Sequence, residues 1–423
     1  MSDSKIDSST GRSPDPAMTP NPSTSVPGQE RLFGRDYTLT VLGTFFFMLN
    51  FTTFYLLPLF IQQIGGNETD IGFVSGSGWI ISFICTPFSG VLVDRWGAKR
   101  LLLAGAALLG VGAAGYLFVQ RVGPLIYLLR ALQGVGLAAG LTAGYTLVAE
   151  LSPASRRGES YGFYMVFTLS PHAIGPWAGE GLVSISGFPA LFGAAAAYAL
   201  LSVLLGAFIR GRADGSDPAP SSSLSALLVR RDLWPVMGTV LLTGSSFGAV
   251  LTFVPTYLKS RSFETIGFFF VTYTVVAVLI RIFLTGLSDR WGRRRILLPN
   301  LLGMAVVLVL LALARNVWGF AAAAFFFGTS QGFVMPTLGA LVIDRADAAD
   351  RGRTMGLFSG SFHLGVFIAS TALGGVAARF GYPAVYWISA AAALGCVAFF
   401  ACLDPSRFPS STDVVVSSAR EGA

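Results

Sequence analysis

The stretch GVLVDRWGAKR, from Gly90 to Arg100, recurs as GLSDRWGRRR, from Gly286 to Arg295. Asp94 and Asp289 are 195 residues apart. Each copy places a small residue, an acidic residue and a basic cluster where an apolar segment ends. Self-similarity at a fixed spacing is the sequence signature of a repeated structural unit. The sequence therefore predicts two copies of one unit.

The repeat extends beyond this motif, at offsets of 194 or 195 residues. The further matches are Asp70-Ile71-Gly72 with Glu264-Thr265-Ile266-Gly267, Glu150 with Asp344, and Arg157-Gly158 with Arg351-Gly352. Several matches at one offset are poorly explained by chance.

The composition indicates a membrane protein. Of the 423 residues, 53% are hydrophobic and 12% are charged, with a mean hydropathy of +0.65. Soluble domains carry about 25% charged residues. The three cysteines, Cys85, Cys396 and Cys402, have no metal-ligand spacing, so the sequence predicts neither a metal site nor a disulfide, and no cofactor.

Long apolar segments predict the fold class, since about 20 apolar residues cross a bilayer and helices satisfy their own backbone there. We expect an all-α membrane protein with twelve transmembrane helices. The apolar segments cover residues 37–62, 70–93, 100–119, 123–150, 158–183, 187–209, 233–257, 265–287, 296–314, 317–343, 353–378 and 382–402.

The polar stretches divide the chain into domains. Residues 1–34 are predicted to be a disordered cytoplasmic arm. Residues 35–209 and 233–403 are each predicted to form a six-helix bundle. The Pro- and Ser-rich stretch 210–232 is predicted to be a linker and 404–423 a polar tail, both cytoplasmic.

Basic residues predict the orientation, because lysine and arginine concentrate in cytoplasmic loops. One set of loops is rich in arginine, and the opposite loops carry only Arg121, Lys259, Arg261, Arg315 and Arg379. We therefore expect both termini in the cytoplasm. The net charge of +7 then follows from topology and requires no nucleic-acid partner.

From about residue 35 to 402 the chain resembles the major facilitator superfamily. The repeated motif is similar to that superfamily's loop 2–3 signature. RALQGVGLAAG, from Arg130 to Gly140, resembles a motif of proton-coupled members, and PHAIGPWAG, from Pro171 to Gly179, partly resembles the antiporter signature. The resemblance implies two pseudo-symmetric six-helix bundles and the proton antiporter-like drug and metabolite efflux group, which includes opine-metallophore exporters.

The repeated motif is the candidate gate. Gly90 lies one helical turn before Asp94, so both occupy one face. The resemblance implies that this face contacts the eleventh helix and holds the cytoplasmic side shut, while Arg95 and Lys99 bind acids below. A topogenic loop with snorkelling bases is the alternative. The gating residues are Gly90, Asp94, Arg95, Gly97, Lys99, Gly286, Asp289, Arg290 and Gly292.

Two arginines lie within apolar segments, where a charge is costly and usually faces a cavity or a partner. Arg130 is a candidate substrate ligand, and the alternative is that it caps a loop or pairs with Glu180. Arg281 either faces the cavity, snorkels to the interface, or pairs with Asp344.

His172 and His363 are the only histidines. Histidine titrates near neutral pH, so His172, just before the Gly175-Pro176 bend, is the candidate proton or substrate site. For His363 a packing role is favoured. Neutral hydrogen bonds to substrate are expected from Asn50, Tyr55, Gln133 and Gln331, with helix packing as the alternative for each.

No Asp or Glu is predicted near the middle of a helix, which leaves Glu180, Asp36 or the substrate as other proton carriers. Buried arginines without a buried acid favour an anionic or zwitterionic substrate. We predict a secondary-active transporter working by alternating access, most simply proton-coupled export of a small amphipathic or carboxylate-bearing molecule.

The alternatives are uptake of an organic anion or sugar, and a non-transporting receptor or scaffold. An enzyme is not expected, and no GxxxxGK[ST] loop is present for ATP hydrolysis. We expect a monomer in a bacterial inner membrane.

Overall fold

A computed structural model describes residues 34–153, 156–210, 230, 233–263, 265–284, 286–346 and 350–402. Nearly all of the predicted arm at 1–34, most of the linker at 210–232 and the tail at 404–423 lie outside these ranges.

The described chain is helical and forms two bundles. The first contains α1 (Arg35–Gln63), α2 (Glu68–Trp96), α3 (Ala98–Phe118), α4 (Pro124–Leu151) and the run Arg157–Ala207, which bends at Gly187 into α5 and α6. The second contains α7 (Trp234–Ser260), α8 (Gly267–Phe283), α9 (Arg293–Leu313), α10 (Val317–Arg345), α11 (Arg351–Phe380) and α12 (Tyr382–Ala401). A short helix, Leu287–Trp291, joins α8 to α9.

Twelve spans are therefore confirmed. Ten helical runs are long and apolar enough to cross a membrane. The α5–α6 run is one of these and supplies two spans, and α8 is a shorter apolar helix.

The repeated motif has a repeated backbone geometry. Gly97 and Gly292, at matching positions, have φ values of 81° and 89°, which favour glycine. The Lys99 ammonium donates to the Ala207 carbonyl at 2.9 Å, and the matching Arg294 donates to Ala401 at 2.6 Å. Both contacts place a cation at a helix C-terminus, where the helix dipole favours it. Each copy thereby ties its third helix to its sixth.

Helix ends follow from local sequence. Asn67 and Asp70 form a capping box at the start of α2, and Asn316 caps α10. The bend at Gly187 has a φ of 74°, and Gly381, between α11 and α12, has 78°. Both glycines are followed by an aromatic residue and a proline, so the two bundles use one turn chemistry at equivalent places.

The bundles meet along two seams, α2 against α11 and α5 against α8. We call the end where α2 meets α3, with Arg95 and Lys99, the basic end. The end with the α1–α2 connection and the Gly187 bend is the opposite end. The most buried spans, α1 and α7, lie between these seams and bring their residues to the centre of the molecule.

Candidate functional site

Aromatic rings from both bundles meet at the centre. The Tyr55 ring on α1 lies 5.6 Å from the imidazole of His172 on α5 and 5.5 Å from the Phe270 ring on α8, between centroids. The pairs are edge-to-face and tilted, arrangements that aromatic rings favour. Tyr55 on α1 therefore contacts a helix of each bundle.

The same group of rings continues toward α11. Phe51 lies 5.5 Å from Trp79 on α2, and Trp79 lies 5.2 Å from the imidazole of His363. The Ser82 hydroxyl is 3.3 Å from Nδ1 of His363. We call the six residues the central ring cluster: Phe51, Tyr55, Trp79, His172, Phe270 and His363. The only two histidines lie at its two edges, and the cluster crosses the boundary between the bundles.

Arg130 projects from α4 beside this cluster and is only 5% exposed. Its Nε donates to the Val74 carbonyl at 3.3 Å, Nη2 to the Ser75 carbonyl at 3.1 Å and Nη1 to Gln133 Oε1 at 3.0 Å. A guanidinium has five N–H donors, more than these three acceptors use. The predicted alternative, a pair with Glu180, is wrong because Glu180 binds elsewhere, as described below.

A glycine makes room for this guanidinium. A Cβ at Gly78 would lie 3.2 Å from the Arg130 Cζ. The charged group therefore lies flat against α2. It borders a cavity lined by Phe51, Phe54, Tyr55, Pro58, Ser75, Trp79, Arg130, Leu251 and Thr252. No lining residue is acidic, so the guanidinium is the only charge on this wall.

Interrupted helices border the same region. The α1 span changes to a 3-10 turn at Phe54–Leu56. A Cβ at Gly175 would lie 2.4 Å from Thr52 Oγ1, and the Thr52 hydroxyl donates to the Pro171 carbonyl at 2.8 Å. Gly175 and the buried Pro176 thus let α5 approach the part of α1 that precedes the 3-10 turn. Interrupted helices at the centre are typical of binding sites in transporters built from repeats.

Arg281 lies in the last turn of α8, within electrostatic reach of Tyr145, Tyr273 and His172. It is half-buried. Asp344, the predicted alternative partner of Arg281, forms an ion pair with Arg293. Its neighbours Tyr145 and His172 belong to the first bundle, so Arg281 lies at the boundary between the bundles, on the basic-end side of Tyr273.

The residues predicted to hydrogen-bond the substrate do not all lie near Arg130. Gln133 lies beside Arg130, and its Nε2 is buried without a partner. Asn50 is fully buried and donates to the Ala195 carbonyl at 2.7 Å, which joins α1 to α6. Gln331 on α10 is buried with an unpartnered Nε2. Of this set, Tyr55 lines the cavity together with Arg130, and Gln133 binds the Arg130 guanidinium.

At the basic end the predicted gate faces open space. Asp94 and Arg95 are exposed, and a Cβ at Gly90 would meet nothing within 4 Å. Lys99 binds the Ala207 and Ile209 carbonyls, where an acid was expected. Gly90 and Asp94 are therefore not packed against another helix in the conformer that the structure describes.

The second copy has a similar environment at the residues that the structure describes. Arg290 is exposed, and a Cβ at Gly286 would also meet nothing within 4 Å. Asp289 lies in the short helix between α8 and α9, and its side chain is outside the description. The gating role of both copies stays a prediction.

At the opposite end the bundles are in contact. A Cβ at Gly72 on α2 would lie 2.4 Å from the Ser370 carbonyl oxygen and 3.0 Å from the Gly374 Cα on α11. The Tyr382 hydroxyl donates to Glu68 Oε1 at 3.2 Å. The structure is thus a conformer closed at the opposite end.

Glu180 completes this closure, and sequence reasoning missed its contact. Its carboxylate accepts hydrogen bonds from the backbone N–H groups of Ile266 and Gly267, each at 2.7 Å. The sequence carried a signal. Gly267 matches Gly72 at the repeat offset of 195, and Glu180 matches Gly374 at 194, so the α5–α8 seam repeats the α2–α11 seam.

Comparison with known families supports the resemblance drawn from the motifs. The sequence profile of the Major Facilitator Superfamily matches residues 39–265 and 260–418. The chain is 25% identical to the staphylopine export protein of Staphylococcus aureus over 84% of its own length and 92% of that protein's. It is 26% identical to the multidrug resistance protein MdtG of Dickeya zeae, over 84% and 91% of the two chains.

Solved structures match the fold. The nucleoside transporter NupG superposes with a TM-score of 0.73 at 16% identity, covering 88% of this chain and all of NupG. The human organic anion transporter MFSD10 superposes with a TM-score of 0.63 at 15% identity, covering 86% and 99%. At these identities the likeness supports the two-bundle fold alone.

Proposed function

The chain belongs to the major facilitator superfamily of transporters, and on that premise we propose that it is a secondary-active exporter. The proposed substrate is a small amphipathic or carboxylate-bearing metabolite or drug. Relatives named for export and multidrug resistance, each matched over most of its length, support this direction of transport.

One observation carries the proposal. A buried guanidinium, Arg130, borders an aromatic cavity between two bundles that are in contact at one end and apart at the predicted gate of the other. Arginine binds carboxylates in a bidentate, planar geometry. The surrounding rings suit the apolar part of a ligand. A substrate with both features would match this site.

Alternating access provides the mechanism. We take the basic end as cytoplasmic, because lysine and arginine favour that side, so both termini are cytoplasmic and this conformer faces inward. Substrate enters from the cytoplasm and binds beside Arg130. The bundles then separate at the opposite end and close at the basic end. In a bacterial host the membrane is the inner membrane, and a single chain contains the whole pathway.

A proton gradient is the proposed energy source. His172 contacts Tyr55 and lies near Arg281, so its protonation would change the charge beside the cavity. Its Nδ1 lies 3.1 Å from the Leu169 carbonyl oxygen at the break before Pro171. Protonation of His172 would therefore affect both the substrate site and the interrupted helix α5.

Transport in proteoliposomes tests the proposal. We expect uptake into inside-out-oriented vesicles to be driven by an imposed pH gradient but not by a sodium gradient. Carboxylate-bearing compounds should compete better than lipophilic cations. Sodium-driven uptake would overturn the coupling, and competition by ethidium with none by carboxylates would overturn the substrate class.

A further inference from the structure

The contact between Glu180 and α8 joins the two bundles through two hydrogen bonds to one carboxylate. The donors, Ile266 and Gly267, begin α8 in the second bundle, while Glu180 belongs to α5 in the first. The first N–H groups of a helix have no partner within the helix and carry partial positive charge. A carboxylate that accepts from two of them makes short, charge-assisted bonds.

Close packing fixes this contact. A Cβ at Gly267 would lie 2.7 Å from the Trp177 Cα and 3.0 Å from Glu180 Oε2. Because glycine leaves this space free, the start of α8 abuts α5 directly. The bond geometry therefore exists only while the two bundles touch at the opposite end, and separation of the bundles breaks both hydrogen bonds together.

The equivalent place on the other seam contains no such group. Gly374 on α11 matches Glu180 in the repeat and packs its backbone against Gly72. The α2–α11 seam at this end is thus backbone against backbone. The α5–α8 seam instead has a charge-dependent contact, the kind that a neutral substitution weakens without removing the packing around it.

Asp94 is the corresponding carboxylate at the basic end. It also belongs to the first bundle, and it is exposed here, where the basic end is apart. When the basic end closes, Asp94 is expected to contact the start of α11, which is again a helix N-terminus of the second bundle. Each end then has a carboxylate of the first bundle that faces a helix start of the second.

We propose that Glu180 is the latch of the opposite end and works in alternation with Asp94. In the conformer described here Glu180 caps α8 and Asp94 is free of α11. In the alternate conformer Asp94 caps α11 and the start of α8 loses its carboxylate. The proposal rests on the proposed function, because it requires that the two ends open in turn.

Distance measurements between spin labels on the full-length protein in nanodiscs test it. The opposite-end pair joins Arg121→Cys in the first bundle to Arg315→Cys in the second, both at exposed positions, in a background with the native cysteines replaced. The basic-end pair joins Phe208→Cys, 63% exposed, to the exposed native Cys402.

Glu180→Ala should raise the ratio of opposite-end-open to closed molecules about fivefold or more, the lower range of typical coupling between sites. Glu180→Gln keeps the size of the side chain but lacks one acceptor and the charge, so a smaller shift in the same direction is expected. It also provides the test if Glu180→Ala does not fold.

Asp70→Asn is the matched control. Asp70 also accepts from a backbone N–H at a helix start, that of Asn67 at 2.9 Å, but within its own bundle, so the distances should not shift. Combining Glu180→Ala with Asp94→Asn should restore a ratio near that of the unmodified chain.

Two failures are distinguishable. If the unmodified chain shows one set of distances with and without a transported compound, alternating access itself fails. If it shows two populations that Glu180→Ala and Glu180→Gln leave unchanged, or if Asp70→Asn shifts them equally, the latch is overturned and the proposed function stands.

Discussion

At the residue scale, the cavity depends on a charge that is buried but not neutralised by an acid. Arg130 binds two backbone carbonyls and Gln133, so its hydrogen bonds are partly satisfied while its positive charge remains. Partial dipoles from carbonyls stabilise the cation less than a carboxylate does. The site therefore favours a ligand that brings negative charge.

Arg130→Lys should weaken transport and Arg130→Ala should remove it. Lysine keeps the charge but loses the planar fork, which we expect to raise KM about tenfold, equivalent to ~1.4 kcal/mol. Alanine also leaves the Val74 and Ser75 carbonyls without this donor. Initial rates in proteoliposomes at fixed pH measure both variants. Equal loss for anionic and cationic compounds would contradict a role in charge selection.

His172→Gln should abolish gradient-driven accumulation and retain substrate exchange, since glutamine keeps a hydrogen bond but does not titrate near neutral pH. His363→Gln is the matched control at the other edge of the central ring cluster and should retain accumulation. Counterflow and pH-jump uptake in the same vesicles separate the two activities. Accumulation by His172→Gln at the unmodified rate would leave His172 as a packing residue.

Sequence alone placed Arg130 within a helix but not its partners. Two of these partners are the backbone carbonyls of Val74 and Ser75, which motif reasoning could not identify because backbone carbonyls carry no sequence signature. Asn50 was a reasonable substrate ligand on the same reasoning, yet in this conformer it joins α1 to α6. A polar residue in an apolar helix indicates that it has a polar partner, but the sequence does not identify that partner.

At the element scale, the repeat allowed most of the fold to be predicted. The apolar segments correctly predicted twelve spans, and the glycines of the duplicated motif have matching φ values. The predicted segments 158–183 and 187–209 correspond to α5 and α6, which the bend at Gly187 separates. The two seams depend on close helix contacts at particular glycines, and composition alone does not show which glycines make these contacts.

Gly72→Ala should hinder closure of the opposite end, because its methyl group would lie 2.4 Å from a backbone oxygen of Ser370 that has no room to move. We expect a shift of about fivefold or more toward the conformer open at that end. Gly90→Ala is the comparison, since a Cβ there meets nothing within 4 Å in this conformer.

The label pairs at the two ends read out both variants. Gly90→Ala should leave the closed opposite end intact and act only on closure of the basic end. Identical distance distributions for Gly72→Ala and the unmodified chain would show that the α2–α11 contact tolerates a side chain and does not set the equilibrium.

At the scale of the whole molecule, the two ends are linked because each bundle moves as a unit. A contact that exists in one conformer alone shifts the equilibrium by its full free energy, whereas a contact present in both shifts nothing. Asp94 is exposed in the conformer described here, so removing its charge costs this conformer little. Any effect must therefore come from the alternate conformer.

Asp94→Asn should keep expression, lose most transport and move the population toward the conformer closed at the opposite end. The reason is that the neutral amide binds the α11 start more weakly, so only the alternate conformer is destabilised. Asp289→Asn should have a milder effect, since the second copy departs further from the family signature. Vesicle transport and the basic-end label pair measure both. Transport by Asp94→Asn at the unmodified rate, with unshifted distances, would show that the repeated motif orients the chain in the membrane and does not gate it.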